Sequence, residues 1–302
     1  MNADPSFSPG RLAQIACMLE ATARKPGNVH RFRDFDDVHF LDFLLSSAAI
    51  AGAMDDAPGL GVGRTIIRSV EATRRVVATN TNLGMILLLA PLAAVPIGSD
   101  LREGVKTILE GTTIEDASLV YRAIRLARPG GLGKAEDQDV GDEPTVTLRE
   151  AMALAADRDL VARQYALGFA DLFDRALPTL RDAIGRGWPV ETAIVAAYLG
   201  FLAHRPDTLI ARKRGEAVAL EASRRAADVL KAGWPDSAEG IKVLDAFDAW
   251  LRLDGHARNP GATADLITAA LFAALRDGTI ELPLAGVWTS EESGQWSVVS
   301  GQ

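Results

Sequence analysis

The sequence predicts an all-α protein: one large bundle of about twelve helices, ending in a short irregular or β-like tail. Three observations carry this. Apolar residues recur at helical rather than alternating spacing along almost the whole chain. Of 302 residues, 48% are hydrophobic, enough to bury a large core. No repeat of fixed period and no compositionally biased linker divides the chain, so residues 1–302 read as a single domain with a tail over 278–302.

The first helix is expected over 11–23, with Leu12, Ile15, Ala16, Leu19 and Ala23 on one stripe. It must stop near Lys25, because Pro26 lacks a backbone donor and biases its predecessor out of the helical region, and Gly27 then permits a turn. Further helices are expected over 39–54, 61–78, 83–95, 101–109, 114–127, 148–156, 159–178, 189–203, 214–231, 238–251 and 263–277. Thr113 and Thr147 are candidate N-caps, and Glu150 stands three residues after Thr147, the spacing of a capping box. The most apolar run, Leu83 to Ile97, is shorter than the ~20 residues of a membrane span and contains Pro91 and Pro96. It reads as a helix buried on all sides. The later stretch T-I-E-L-P-L-A-G-V-W suits a short strand or a tail packed on the bundle.

Composition excludes several functions. A net charge of −8 argues against broad binding to nucleic acid or an anionic membrane, which needs a basic face. The N-terminus, M-N-A-D-P-S-F-S-P-G, has no basic-then-apolar pattern of a secretory signal, so the expected compartment is the cytoplasm. A single cysteine, Cys17, permits no internal disulfide and reads as buried filler. R-P-G-G-L-G-K-A fails the phosphate-loop pattern at Arg128 and Ala135, and P-G-L-G-V-G-R at 58–64 misses the dinucleotide fingerprint.

Polar residues instead gather at helix junctions. Asn28 and His30 follow the Pro-Gly corner, where a turn alone does not require them. Thr79, Asn80, Thr81 and Asn82 form a polar knot between two oily helices, and buried amides need partners. In D-R-D, Asp157 and Asp159 open a helix where Asp159 can pair with Arg163; two neighbouring carboxylates could equally hold Mg²⁺. H-R-P-D-T-L-I-A-R-K-R-G places Arg212, Lys213 and Arg214 after an Asp-Thr start and beside His204, a candidate anion pocket. Asn259-Pro260-Gly261 turns ahead of Thr263, a candidate cap, and Asp265 follows in the first turn; His256 reads as structural. The longest interruption, Arg128 to Val146, combines glycines with Glu136, Asp137, Asp139, Asp142 and Glu143 and suits either a disordered acidic excursion or a lid whose carboxylates, Asp139 among them, join a metal. The recurrence of such groups at the ends of apolar helices predicts one interior polar site.

Glu20 with Lys25-Pro26-Gly27-Asn28-Val29, then Asn80-Thr81-Asn82-Leu83-Gly84, then Asn259-Pro260-Gly261 with Ala264-Asp265-Leu266, resemble the motifs of the triphosphoribosyl-dephospho-CoA synthase family over about residues 11–277. The resemblance implies an all-helical transferase of coenzyme biosynthesis. Such an enzyme joins the ribose of its substrate ATP to a ribose hydroxyl of dephospho-CoA, releasing adenine and keeping the triphosphate. It further implies Lys25, Arg212 and Lys213 on phosphates, and Asn28, Asn80, Asn82 and Asn259 on sugar or base. Asp157, Asp159 and Asp139 would hold Mg²⁺, and Glu20, Asp265 and His30 would be the catalytic groups. Citrate-lyase-type members resemble Asn-Thr-His-Lys-Gly at the second motif, where this chain has Asn82 and Leu83. The asparagine-rich form, with G-G-L-G and P-D-T-L-I-A-R-K-R-G, looks more like a divergent archaeal branch associated with one-carbon cofactors. Two alternatives therefore stand beside dephospho-CoA transfer: action on a one-carbon cofactor precursor, and a non-catalytic nucleotide-binding scaffold. The expected partners are small-molecule nucleotides, with a second copy of the chain as the candidate protein partner and neither nucleic acid nor membrane.

Overall fold

Two helices so apolar that they have no solvent face must lie at the centre of whatever the rest builds. They are α5 (Leu83–Ala94) and α15 (Gly261–Arg276), and they pack against each other. In α5 every residue but Gly84 is buried, and in α15 every residue but Gly261 and Asp265. The computed structural model describes residues 7–130 and 137–284, and over these the chain forms fifteen α-helices and no strand.

Around this axis, α1 (Pro9–Thr22) lies on α15 and on α2 (Phe40–Asp55). The short α3 (Ala57–Leu60) leads to α4 (Val62–Val76), which packs on α2, on α5 and on α7 (Ile114–Ala127). Between them α6 (Leu101–Glu110) rests on α5. The chain then passes through α8 (Leu148–Ala153), α9 (Leu160–Ala166), a π-helical turn (Leu172–Ala176) and α10 (Leu177–Gly185). The buried α11 (Val190–His204) packs on α15, α10 and α13 (Glu216–Lys231). Short α12 (Thr208–Arg214) touches α13 and α15, and α14 (Ala238–Arg252) covers α13.

Thr113 and Thr147 cap α7 and α8, each in a reciprocal box with Asp116 and Glu150 respectively. Several boundaries differ from expectation, and each difference has a local cause. The expected 61–78 helix begins only at Val62, because Gly61 has φ 80° and separates α3 from α4. The expected 159–178 helix is broken where Gly168 and Phe169 are left-handed (φ 59° and 62°), and it resumes through the π turn to run on to Gly185. The expected 214–231 helix begins only at Glu216, because Gly215, at φ 89°, closes the short α12 that precedes it and was not expected. The 148–156 helix ends at Ala153, and α1 stops at Thr22, before Lys25. No strand forms over 279–284: Ile280 is buried and its amide donates to the Ala274 carbonyl at 3.0 Å, so the tail packs on the bundle there. The rest of the expected strand lies outside the described residues.

The segment between α1 and α2 is fixed by charge. Glu191, wholly buried at the start of α11, accepts from Arg24 Nε at 3.1 Å and from Arg31 Nη1 at 2.6 Å and Nη2 at 3.0 Å. Burial alone would push the Glu191 carboxyl up, but the two guanidiniums outweigh it and hold its pKa below the ordinary value. Gly27, at φ 76°, has no room for a Cβ, which would stand 2.6 Å from Leu251 Cδ1, and its amide donates to Asp248 Oδ1 at 2.7 Å. Breaking a buried ion pair from one side leaves an uncompensated charge and costs about 3–5 kcal/mol. Glu191→Ala is expected to lose stability on that scale in urea unfolding; a loss of roughly 1 kcal/mol or less, ordinary for a surface pair, would show that the corner is held by something else.

Candidate active site

The ends of these elements enclose a cavity of about 880 Å³. Its walls come from the corner after α1, the polar knot before α5, the end of α7, the turn before α9, α12, and the first turn of α15. The corner aims Asn28 into it. The Asn28 carbonyl accepts from Arg252 Nη2 at 2.6 Å, while its side-chain amide donates to Tyr198 Oη at 3.1 Å and to Asn259 Oδ1 at 2.8 Å. Tyr198 in turn donates to the Pro26 carbonyl at 2.9 Å. Two asparagines far apart in sequence are thereby fixed as one hydrogen-bonding edge beside Asp265 and Glu20.

Asp265 is the chemically distinctive group. Among the described residues its carboxylate makes no hydrogen bond and no ion pair. Burial raises its pKa well above the ordinary carboxylate range, and the negative charges of Glu20, Asp207 and Asp159 push the same way. It lies against the bare backbone of α5: a Cβ on Gly84 would stand 1.9 Å from Asp265 Oδ2. Glu20 is also buried and raised by that burial, but it is paired with Lys25, whose Nζ sits 3.0 Å from Glu20 Oε1.

Cations occupy another part of the wall. Lys213 is half-buried, has no ion-pair partner among the described residues, and is lowered in pKa by burial and by adjacent Arg212. Arg212 pairs with Asp159, whose Oδ1 accepts from the Ala162 amide at 3.0 Å and so caps α9. Arg128 and Arg158 line the same cavity. Asn80 is there too, its Oδ1 accepting from the Leu83 amide at 3.3 Å.

The expected residues thus divide. Glu20, Asn28, Asn80, Asp139, Asp159, Arg212, Lys213, Asn259 and Asp265 share the cavity wall. Lys25 does not: fully buried, it uses its ammonium on Glu20 and on the Ala23 carbonyl at 3.2 Å. His30 is buried off the wall with its Nδ1 accepting from the Phe32 amide at 3.3 Å, and burial among Arg252, Lys25, Arg24 and Arg31 pushes its pKa down to about 2. Asn82 turns instead toward α4, donating to Thr73 Oγ1 at 3.2 Å. Asp157 faces solvent and His204 is exposed at the end of α11. The three expected metal ligands do not converge: among the described residues no group of three or more such side chains could hold an ion, and both Asp159 oxygens are occupied. Thr263 is not a cap; it lies inside the first turn of α15 and donates to Asp207. Part of the expected lid, 131–136, lies outside the described residues; Gln138 and Asp139 beyond it reach the cavity, and the Gln138 carbonyl accepts from Tyr121 Oη at 2.7 Å.

Sequence reasoning passed over Arg158, between two flagged aspartates, and read His256 as structural, whereas it lines the cavity and stands 3.4 Å from Asp37. Neither position carries a periodic or capping signal, so only the fold reveals them.

Fold and site define an all-helical enzyme-like cavity that combines a carboxylate unpaired among the described residues, a hydrogen-bonding amide edge and a cluster of cations. Residues 6–282 match the model of the ATP:dephospho-CoA triphosphoribosyl transferase (CitG) family, and the chain belongs to that family. It is similar to a crystal structure from Archaeoglobus fulgidus, provisionally described as a triphosphoribosyl-dephospho-CoA synthase. That likeness has 26% identity and a TM-score of 0.61, over 78% of this chain and 99% of the other. No curated protein matches. The chain is a transferase of this type.

His30 makes the fold sensitive to acid. Its pKa is near 6.5 in an unfolded chain and about 2 in the folded one. The unfolded state therefore binds a proton that the folded state refuses as pH falls below about 6.5, and stability drops over that range. His30→Gln is expected to flatten this part of the pH–stability curve in urea titrations at pH 4.5–7.5; an unchanged slope would contradict the buried neutral state.

Proposed function

We propose that the chain binds ATP and a nucleotide-like acceptor together in this cavity and joins C1′ of the ATP ribose to an acceptor hydroxyl. The hydroxyl oxygen bonds to C1′, the bond from C1′ to the adenine nitrogen breaks, and adenine leaves with that electron pair and takes up a proton. The hydroxyl proton passes to Asp265. The single observation that carries this reading is a desolvated carboxylate that shares one cavity with a lysine, both without a hydrogen-bond or ion-pair partner among the described residues.

Each role follows from the wall. Asp265, raised in pKa, is a better proton acceptor than an ordinary carboxylate once deprotonated. Its charge and that of Glu20 favour the cationic, oxocarbenium-like sugar of the transition state. Lys213, Arg212, Arg158 and Arg128 hold polyphosphate, and Asn28 with Asn259 fixes a sugar edge by hydrogen bonds. Mg²⁺ arrives on the triphosphate, as is usual in phosphate chemistry, since the aspartates expected to hold it do not form a site; no step here passes through it. Leu83 on the wall replaces with an apolar surface the cation expected of citrate-lyase-type relatives, so dephospho-CoA is the first acceptor to test and a one-carbon cofactor precursor the second.

Incubation with ATP, Mg²⁺ and dephospho-CoA is expected to release adenine, read by chromatography. ATP binding without adenine release from any acceptor would favour the non-catalytic scaffold. Asp265→Asn is expected to reduce kcat by about 10²–10⁴-fold, the usual worth of a general base. Because the base works only when deprotonated, activity should fall as pH drops through the raised Asp265 pKa. Glu20→Gln removes a negative neighbour, so that acid limb should move to lower pH; an unmoved limb would separate Glu20 from Asp265.

Gly84→Ala tests the contact itself. Its methyl has to displace the carboxylate, and a shift of about 1 Å can cost 10²-fold in rate. The helix itself gains by roughly 0.5–1 kcal/mol. A large fall in kcat with little change in Tm is expected, and wild-type turnover would refute the packing argument.

A further inference from the structure

Asp207 lies outside the cavity wall, fully buried, and accepts four hydrogen bonds. Its Oδ1 accepts from the amides of Leu209 at 2.8 Å and Ile210 at 3.1 Å, the first turn of α12. Its Oδ2 accepts from the Thr263 amide at 2.7 Å and the Thr263 hydroxyl at 2.8 Å, in the first turn of α15. Burial raises the Asp207 pKa and these bonds oppose the rise.

A helix cap needs one side-chain oxygen, and serine, threonine or asparagine supplies it without burying a charge. The second oxygen serves a different helix. Helical geometry places residues two apart on roughly opposite sides, so Thr263 can face α12 while Asp265 faces the cavity. Along α12, the same cap fixes the turn that delivers Arg212 and Lys213 to the wall. The junction is tight: a Cβ on Gly261, the first residue of α15, would stand 2.7 Å from Leu209 Cδ2. Next to Asp207, the Thr208 hydroxyl accepts from the Leu160 amide at 3.1 Å, tying α9 to the same node.

We propose that Asp207 is a positioning residue, which through Thr263 sets where the cations of α12 stand relative to Asp265 and so how a polyphosphate is held beside that carboxylate. The inference rests on the triphosphoribosyl-transfer reading above.

A double-mutant cycle on ATP affinity, measured by calorimetry with Mg²⁺ present, tests it. Lys213→Ala is expected to weaken ATP binding about tenfold in the wild-type background, as loss of a charge-assisted contact does. It should weaken binding less than about threefold in the Asp207→Asn background, where the lysine is already displaced. Should Asp207→Asn fail to fold, Thr263→Val, which removes only the hydroxyl contact, replaces it in the cycle. Thr263→Ser restores the hydroxyl and should restore the full Lys213 effect. Equal Lys213 losses in all backgrounds, with only Tm lowered, would reduce Asp207 to a structural cap and overturn the proposal. Protein that binds ATP with the expected coupling yet releases no adenine rejects the transfer reading alone. Equal losses in a protein that turns over reject this inference alone, and absence of any ATP binding rejects both.

Discussion

The site depends on one close approach: the Asp265 carboxylate resting on the backbone of α5 at Gly84. Both α5 and α15 are buried nearly throughout, so their crossing is set by apolar packing against seven or so neighbouring elements rather than by the site itself. Glycine lets that crossing be tight enough for a carboxylate to lie between the helices. The carboxyl is thus carried by the most deeply buried pair of helices and opens into the cavity at the helix ends, where the surrounding loops and short helices supply polar side chains.

Three other carboxylates at or behind the cavity wall are compensated in ways that also fix geometry. Glu191 binds two guanidiniums and holds the corner after α1. Glu20 binds Lys25, which lies directly before the Pro-Gly turn. Asp159 pairs with Arg212. An uncompensated carboxylate in such surroundings is costly, and a structural role would not require one. In the proposed reaction Asp265 is accordingly the group whose partner is the ligand. Lys213, also without an ion-pair partner among the described residues, has the opposite sign, and the two together suit the proposed ligand, with an anionic part and a part that tolerates negative charge.

Much of the fold was legible because helical periodicity is a short-range signal. The segment 114–127 coincides with α7 at both ends, since Thr113 and Asp116 form a cap that sequence displays directly. The expected starts at 61 and 214 fall within two residues of α4 and α13, but the break at Gly168 was not legible: a glycine inside an apolar-periodic run is tolerated in many helices, and only tertiary contacts decide whether it turns left-handed. The site shows the same division. Junction polarity pointed to Asn28, Asn259 and Asp265, which share one wall. Lys25 and Asn82 carry the same residue chemistry in the same motifs, yet one rotates onto Glu20 and the other onto Thr73. Motif membership gives the neighbourhood of a side chain; its direction depends on χ angles that partners from distant segments select.

That distinction bears on how the cavity keeps opposite charges usable. A Lys25 that faced the cavity would add positive charge to the wall that Asp265 shares, which lowers a carboxyl pKa toward the ordinary range. Turned away and tied to Glu20, it instead offsets a second negative charge while leaving Asp265 unpaired. The cations that do face the ligand arrive from α12, the end of α7 and the turn before α9, rather than from the segment that carries Glu20. In the proposed reaction, this separation by element would let one cavity present a basic carboxylate to a sugar and positive charge to phosphates, two demands that a single motif of adjacent acid and base would cancel.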